Sequence, residues 1–405
     1  MNILFINDYD CMVNASGGIM RVSQLLLNYF SSKQHHCFLG YFDDTQGEPA
    51  IFQQRIKLSV PFENEQFKNF LEQNHIHFII STLWTQKHIG SFQHIYTIAS
   101  SLNIKVLFEL HVLPGHEMRQ SVSFNQFLFS LGHRQNIKTN CVKWLISKGS
   151  FLLKPLYKAR LRRKYQIPFD YSDRIIVLSK YYIPVYAQII GTNNLSKITA
   201  IGNVLSYPFF SSFEDIQQKK KEIIIVGRLY EPAKRISLAL KIWEKVEQNP
   251  LLSEWTLTIV GEGEDRLYYE YLTQKFHLKR VTFTGRQNPV EYYQRASIIL
   301  MTSAAEGWPM VLMEAAQMGV PCVAFDSFEA LHEIVTDGHN GIIVPNNNIN
   351  MFYEKLANLM LNDDKRKQIA LNAVGDSKRF TMENIMPKWD DLLNQISTES
   401  SAIRN

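Results

Sequence analysis

The chain has 405 residues, of which 45% are apolar, 20% charged and 12% aromatic. That composition excludes an intrinsically disordered chain, a collagen-like repeat and a small disulfide scaffold, and the length suggests two or three domains. The net charge of +5 is unevenly placed: residues 118–169 hold eleven Lys/Arg and no acid, so this segment is +11 and the remainder −6. Such a split points to contact with an acidic surface, whether membrane lipid, nucleic acid or a polyanionic substrate.

The four cysteines form no C-x-x-C pair, so no zinc knuckle or thioredoxin-type site is expected. The opening apolar run ends at Asn7, too short for a signal peptide, and no stretch of 18 apolar residues exists. A cytoplasmic protein with reduced thiols is therefore expected.

In chain order, strands are expected at Asn2–Asn7, His36–Tyr41, His77–Leu83, Ile104–Leu110, Arg174–Leu178 and Lys197–Ile201. Helical stretches separate most of them; the first carries Ile19, Val22, Leu25, Leu26 and Tyr29 at spacings of three and four. The segment Tyr207–Lys221, with a proline, a serine pair and mixed charge, reads as a linker. Alternation then restarts at Glu222–Val226, Thr256–Val260, Val281–Thr284, Ile298–Thr302, Cys322–Phe325 and Gly341–Val344, and Met382–Ile396 reads as one amphipathic helix. The class is α/β, with two doubly wound parallel sheets. The expected division is an N-terminal domain 1–206 with the basic arm 118–169, a second domain 207–378, and a C-terminal helix 379–405. Ligands of such sheets bind beyond the C-terminal strand ends at the switch point, and the unusual residues fall in those loops.

Gly17 and Gly18 precede the first helix, where free N–H groups suit an anion; a flexible turn is the plain alternative. Arg228 and Lys234 follow the first strand of the second half and could neutralise a diphosphate leaving group, or simply be solvated surface cations. Gly261-Glu262-Gly263 looks like a dinucleotide fingerprint, but Arg266 replaces the third glycine and two acids would face the phosphates, which argues against NAD. Glu306-Gly307-Trp308-Pro309-Met310 leads to Glu314 one turn into a helix. Two carboxylates seven residues apart could accept hydrogen bonds from sugar or ribose hydroxyls. Spacing alone does not separate this from an acid near a helix start plus a solvated glutamate. His111 follows a strand and could bond a hydroxyl or shuttle a proton, although a lone histidine is commonly structural. Asp8-Tyr9-Asp10 matches a short metal–diphosphate pattern and is better read as polar loop residues.

Together these motifs resemble the retaining, nucleotide-sugar-dependent glycosyltransferases of family 4, which have the GT-B fold of two Rossmann-like domains facing a cleft. The likeness rests on the E-x7-E stretch Glu306–Glu314 and its extension to Val323, on Glu333-Ile334-Val335, Asp337-Gly338 and Asn340-Gly341. It rests also on Val226–Leu229 with Lys234, Val260–Gly263, the Gly17-Gly18-x-x-Arg21 loop, His111, Val177-Leu178-Ser179 and Asn203. It is dense over roughly residues 222–345 and sparse before.

The resemblance implies that 1–206 is the acceptor-binding domain and 207–378 the nucleotide-sugar-binding domain, with the C-terminal helix 379–405 crossing back to the first domain. It also implies a donor diphosphate held by Gly18, Arg228 and Lys234, ribose on Glu314, and the donor sugar at Glu306 and the backbone of Gly307–Met310. It implies a nucleobase near Arg286, and His111 near the reaction centre. No metal or other cofactor is expected, because Arg228 and Lys234 supply the charge. Val112 stands where the family often has Asp, and Arg228 and Lys234 are six apart where five is commoner.

The implied function is transfer of a hexose or N-acetylhexosamine from a nucleotide sugar, with UDP preferred, to a surface-glycan or lipid-linked saccharide acceptor at the inner membrane face. Two alternatives remain: a nucleotide-sugar epimerase of the same fold, which needs no acceptor site, and a non-catalytic glycan- or nucleotide-binding protein. For residues 118–169, a surface-lying amphipathic helix on an anionic membrane and a solvated arm packed on the first domain both stand. Nucleic acid is disfavoured by the acidic remainder.

Overall fold

The computed structural model describes residues 1–11, 18–45, 50, 52–119, 123–133, 141, 144 and 153–402. The chain forms two compact units: residues 1–115, 156–204 and 382–405, and residues 116–155 with 205–381.

The first unit holds a seven-stranded sheet in the order β3-β2-β1-β4-β5-β6-β7. Its strands are β1 (Asn2–Tyr9), β2 (His36–Asp43), β3 (Arg55–Lys57), β4 (Phe78–Ser81), β5 (Lys105–Leu110), β6 (Arg174–Val177) and β7 (Ile198–Ala200). Every pairing is parallel, from Asn2 opposite His36 on one side of β1 to Ile3 opposite Phe78 on the other. Residues Ile3–Ile6, Phe78–Ile80 and Val106–Phe108 are buried without alternation, as strands covered on both faces require. β3 is unexpected: a three-residue edge strand carries too little pattern to be read from sequence. The terminal helix Pro387–Ala402 buries Trp389, Leu392, Leu393 and Ile396. Trp389 meets Phe30 edge-on at 6.4 Å, and Phe30 lies on the helix Gly18–Ser32.

The second unit holds a six-stranded parallel sheet in the order β10-β9-β8-β11-β12-β13. The strands are β8 (Glu222–Val226), β9 (Thr256–Val260), β10 (Val281–Gly285), β11 (Ile298–Met301), β12 (Cys322–Asp326) and β13 (Gly341–Pro345). Its core packs Ile223, Leu257, Leu300, Val323 and Phe325 against Trp243, Tyr269 and Phe352. The chain walks outward from β8 to β10, then returns to β11 and walks the other way. The switch point is therefore the β8/β11 pair, and the loops after those two strands are neighbours.

Two expectations differ. Tyr207–Lys221 is not a bare linker: Ser212 and Asp215 form a reciprocal capping box that starts the helix Phe213–Gln217. That helix buries Ile216 against Ala370 and Val374. The basic segment is also divided: 116–155 groups with the second unit and 156–204 with the first. The physical reason lies in Phe124–His133, where Phe129 packs on Tyr268 and Tyr271 and buried Gln126 donates to Asp265 at 2.9 Å. Much of the basic arm, including Lys143 and Lys148, lies outside the described residues.

Candidate functional site

Three post-strand loops of the second unit are stitched together by backbone. Gly227 N–H donates to Val260 at 3.0 Å, Leu229 to Glu262 at 2.8 Å, Asp265 to Leu229 at 3.0 Å and Gly261 to Gly285 at 2.9 Å. Here the Gly-x-Gly pattern finds its cause. Gly261 sits at φ +149°, and a Cβ there would lie 1.9 Å from the Gly227 oxygen; one on Gly263 would lie 2.4 Å from the Leu229 oxygen. The glycines admit the neighbouring backbone of the β8 loop. Glu262 pairs with Arg266 and Glu264 with Arg228.

The loop after β8 leads through Gly227–Tyr230 into the short helix Glu231–Lys234, with Pro232 in its first turn. Glu231 is wholly buried, with Ser237 N–H donating to it at 3.1 Å. Burial raises its carboxyl to about 7, against the opposing hydrogen bonds of Ser237 and Tyr269. Asp265 caps the Glu231 N–H at 2.8 Å. The loop after β11 runs from Thr302 to the helix Met310–Gln317. Ala304 N–H donates to Ala233 O at 2.7 Å, and Thr302 Oγ1 donates toward the carbonyls of Lys234 and Arg235 at 3.0 and 3.1 Å.

This stitching brings two sequence-identified residues together. Lys234 Nζ lies 2.6 Å from Glu306 Oε1, and Ser303 Oγ donates to the same oxygen at 2.5 Å. The side chains of Lys234 and Glu306 are 22% and 13% exposed, so the pair is part-buried and within reach of solvent rather than in the core. Glu314 is 1% exposed; Ser206 Oγ donates to one oxygen at 2.7 Å and Tyr293 OH to the other at 2.9 Å. Glu314 is thus a buried acceptor fixed by two hydroxyls, not a solvated helix residue. Trp308, Pro309 and Met310 are buried, Gly307 half-buried, and the helix starts at Met310 with Pro309 as its cap.

Arg228 is largely exposed and bonds Glu264 through Nε at 3.1 Å as well as through its terminal nitrogen. Arg286 is exposed just beyond β10. In the first unit, Gly18 opens the helix Gly18–Ser32, while Gly17 lies outside the described residues. His111 follows β5 with its side chain 4% exposed. Its Nε2 is 3.1 Å from Glu109 Oε2, though out of line for a hydrogen bond. Sequence reading noted the missing acid after His111; a carboxylate stands two residues before it instead, on the same side of the strand end by the period-two rule.

Asp8 accepts from Trp84 N–H at 2.9 Å, Thr85 N–H at 3.1 Å and Thr85 Oγ1 at 2.6 Å, and lies 2.8 Å from His88 Nδ1. Asp10 pairs with Arg55 at 2.6 Å. Asp8 thus holds the loop after β4, and Asp10 ties the end of β1 to the start of β3. Among the described residues, no group of three His, Cys, Asp or Glu side chains could hold a metal ion.

Sequence reasoning missed Arg235, Ser303, Tyr293 and Ser206. No pattern marks the hydroxyls, which come from separate elements. Arg235 adjoins Lys234 but its role depends on a left-handed backbone, φ +49°.

The fold and these loops define GT-B architecture. Residues 208–375 match the family of glycosyl transferases group 1. The chain is 29% identical to the amylovoran biosynthesis glycosyltransferase AmsD of Erwinia amylovora over 59% of this chain and 67% of that one. It is 26% identical to the GalNAc-alpha-(1->4)-GalNAc-alpha-(1->3)-diNAcBac-PP-undecaprenol alpha-1,4-N-acetyl-D-galactosaminyltransferase of Campylobacter jejuni, over 60% of this chain and 65% of that one. The matches thus span about two thirds of these relatives. Among solved structures, the sucrose-phosphate synthase of Thermosynechococcus elongatus superposes with a TM-score of 0.74 at 17% identity, covering 98% of this chain and 99% of that one. Anabaena HepE in complex with UDP-glucose gives 0.69 at 16% identity, covering 98% and 100%.

Proposed function

We propose that the protein is a retaining glycosyltransferase that moves a hexose or N-acetylhexosamine from a UDP-sugar to a saccharide acceptor, either a surface glycan or a lipid-linked one. The observation that carries this reading is the Lys234–Glu306 pair at the β8/β11 switch point, inside the stretch that matches the family. The leaving diphosphate develops negative charge, and Lys234 with Arg228 supplies positive charge beside it in place of a divalent cation. Arg228 is available for this because its exposed pairing with Glu264 is worth under about 1 kcal/mol and gives way to a phosphate. Glu314, set by Ser206 and Tyr293, receives the ribose hydroxyls. Glu306, with the Gly307–Met310 backbone, orients the sugar, and Arg286 meets the base. His111 with Glu109 serves the acceptor end of the reaction.

The relatives named above are a polysaccharide-biosynthesis glycosyltransferase and an enzyme named for an undecaprenol-diphosphate-linked saccharide. They support an acceptor of that kind here. The helix Leu153–Asp170 supports a peripheral contact with an anionic membrane at the cytoplasmic face: Leu156 is 70% exposed, and Lys158, Arg160, Arg162 and Arg163 are exposed on the same helix. Each such cation adds about 1 kcal/mol near an anionic leaflet. No described helix is long and apolar enough to cross a membrane.

The test is a thermal-shift panel of UDP-, GDP- and ADP-sugars. Ligand at 100 times its Kd stabilises the folded state by about 2.7 kcal/mol, so a UDP-sugar raises Tm by several degrees. A shift with GDP- or ADP-sugars alone replaces the donor, and no shift with any of them removes the reading.

A further inference from the structure

The residue after the phosphate lysine is Arg235. Its backbone is left-handed at φ +49°, a conformation costly for a residue with a long side chain. Its guanidinium is committed to the neighbouring loops: Nε donates to Thr302 O at 2.8 Å and Nη2 to Ser303 O at 2.6 Å. Nη2 also reaches Asn346 at 3.0 Å, and Nη1 donates to Asn347 at 2.7 Å. The guanidinium lies 5.7 Å from the ring of Phe325, a buried core residue. Burial lowers its pKa only to about 10, so it stays charged at neutral pH.

Thr302 and Ser303 are the two residues from which the Glu306 loop departs. Ser303 O is held a second time, by Ser327 Oγ at 2.6 Å, and Ser303 Oγ in turn donates to Glu306. In the other direction Thr302 Oγ1 bonds the carbonyls of Lys234 and Arg235. One side chain thus joins the loop after β8 to the loop after β11 at the point where each presents its charged group.

We propose that Arg235 is a positioning residue for the Lys234–Glu306 pair, its fork fixing the Thr302-Ser303 backbone so that Glu306 faces the donor sugar. This rests on the reading of that pair as the sugar end of the donor site. The left-handed backbone is part of the device. It turns the side chain across to the β11 loop, and the fork returns the bonds that hold it there.

Glycine takes φ +49° freely, so Arg235→Gly removes the fork without backbone strain, and Arg235→Lys keeps the charge but cannot make the forked contact. The first measurement is amide hydrogen exchange of a peptide covering residues 302–310. Protection falls in both variants, while a peptide covering β9 is unchanged. Equal protection to wild type overturns the proposal whatever the activity. The second is steady-state UDP release from the UDP-sugar panel, with UDP affinity by calorimetry. The expected result is a turnover loss of about 10- to 100-fold, the size that a misplacement near 1 Å produces, with UDP Kd within about threefold of wild type. Free guanidinium ion at millimolar concentration partly restores Arg235→Gly. Turnover equal to wild type, or turnover, affinity and Tm falling together, overturns the positioning role. Should Arg235→Gly not fold, Arg235→Lys carries both measurements. Lost protection alongside a wild type that releases no UDP from any sugar nucleotide refutes the transferase reading and leaves the clamp standing.

Discussion

The Lys234–Glu306 contact makes an asymmetric prediction. Exposed ion pairs are worth 0.2–1 kcal/mol, and breaking fully buried ones costs about 3–5 kcal/mol. With 22% and 13% of the side chains exposed and a 2.6 Å contact, this pair falls between, at about 1–2 kcal/mol. A phosphate that recruits Lys234 must displace part of that interaction. Glu306→Gln removes the competitor while keeping the shape and the Ser303 bond. UDP therefore binds the variant equally or up to about tenfold tighter, since tenfold is 1.4 kcal/mol. The same variant loses at least about 100-fold in donor turnover, because the sugar is no longer oriented by a carboxylate. Lys234→Ala has the opposite binding sign, weakening UDP by about 10- to 100-fold. Calorimetry of UDP with an assay of UDP release measures both. If Glu306→Gln weakens UDP tenfold or more, Glu306 touches the nucleotide and the competition argument fails; if its turnover matches wild type, Glu306 has no part in the chemistry.

Gly261→Ala forces a Cβ to 1.9 Å from the Gly227 oxygen at a backbone angle that disfavours side chains. It costs more than about 4 kcal/mol by this backbone clash; Gly90→Ala, with no atom within 4 Å of the added carbon, stays within about 0.5 kcal/mol. Equal denaturation midpoints for the two variants would contradict this. Glu231 is protonated more readily in the folded state, near 7, than in the unfolded chain, near 4.5. Its stabilising contribution is complete below pH 4.5 and is lost as pH rises to about 7. Glu231→Gln flattens that slope, and urea midpoints across pH 4–8 read it; an unaltered slope sinks the assignment. Finally, the wild type floats with vesicles containing acidic lipid at low salt. Replacing Leu156 by Asp and Arg160, Arg162 and Arg163 by Glu abolishes this, and flotation independent of acidic lipid removes the membrane contact.

Much of the fold was legible because its strands are buried on both faces and read as unbroken apolar runs separated by helical periods. Among the described residues, twelve of the thirteen strands stand where pattern placed them, within a residue or two. What escaped was decided by few residues or by distance in sequence. β3 is too short to carry a period. The helix Phe213–Gln217 hides in a charged stretch because a capping box, not an apolar face, begins it. The division of the basic segment rests on Gln126–Asp265 and Phe129–Tyr268, contacts more than 130 residues apart in sequence. In the candidate site, Lys234, Glu306 and Glu314 are singled out by loop position, spacing and the family resemblance together. Their partners Ser206, Tyr293 and Ser303 are not, since a serine or tyrosine hydroxyl carries no local signature. The Gly-x-Gly after β9 could be distinguished from a full dinucleotide fingerprint, but its role in admitting the Gly227–Leu229 backbone depends on a neighbouring loop 30 or more residues away, which no local pattern records.

The central claim is donor cleavage at the Lys234–Glu306 pair, and the direct measurement is product analysis after incubation with UDP-hexoses and UDP-N-acetylhexosamines in excess EDTA. For one donor, UDP and free sugar appear slowly without acceptor, and both disappear in Lys234→Ala. Sugar nucleotides recovered intact, or recovered as a different UDP-sugar with no UDP released, would contradict it.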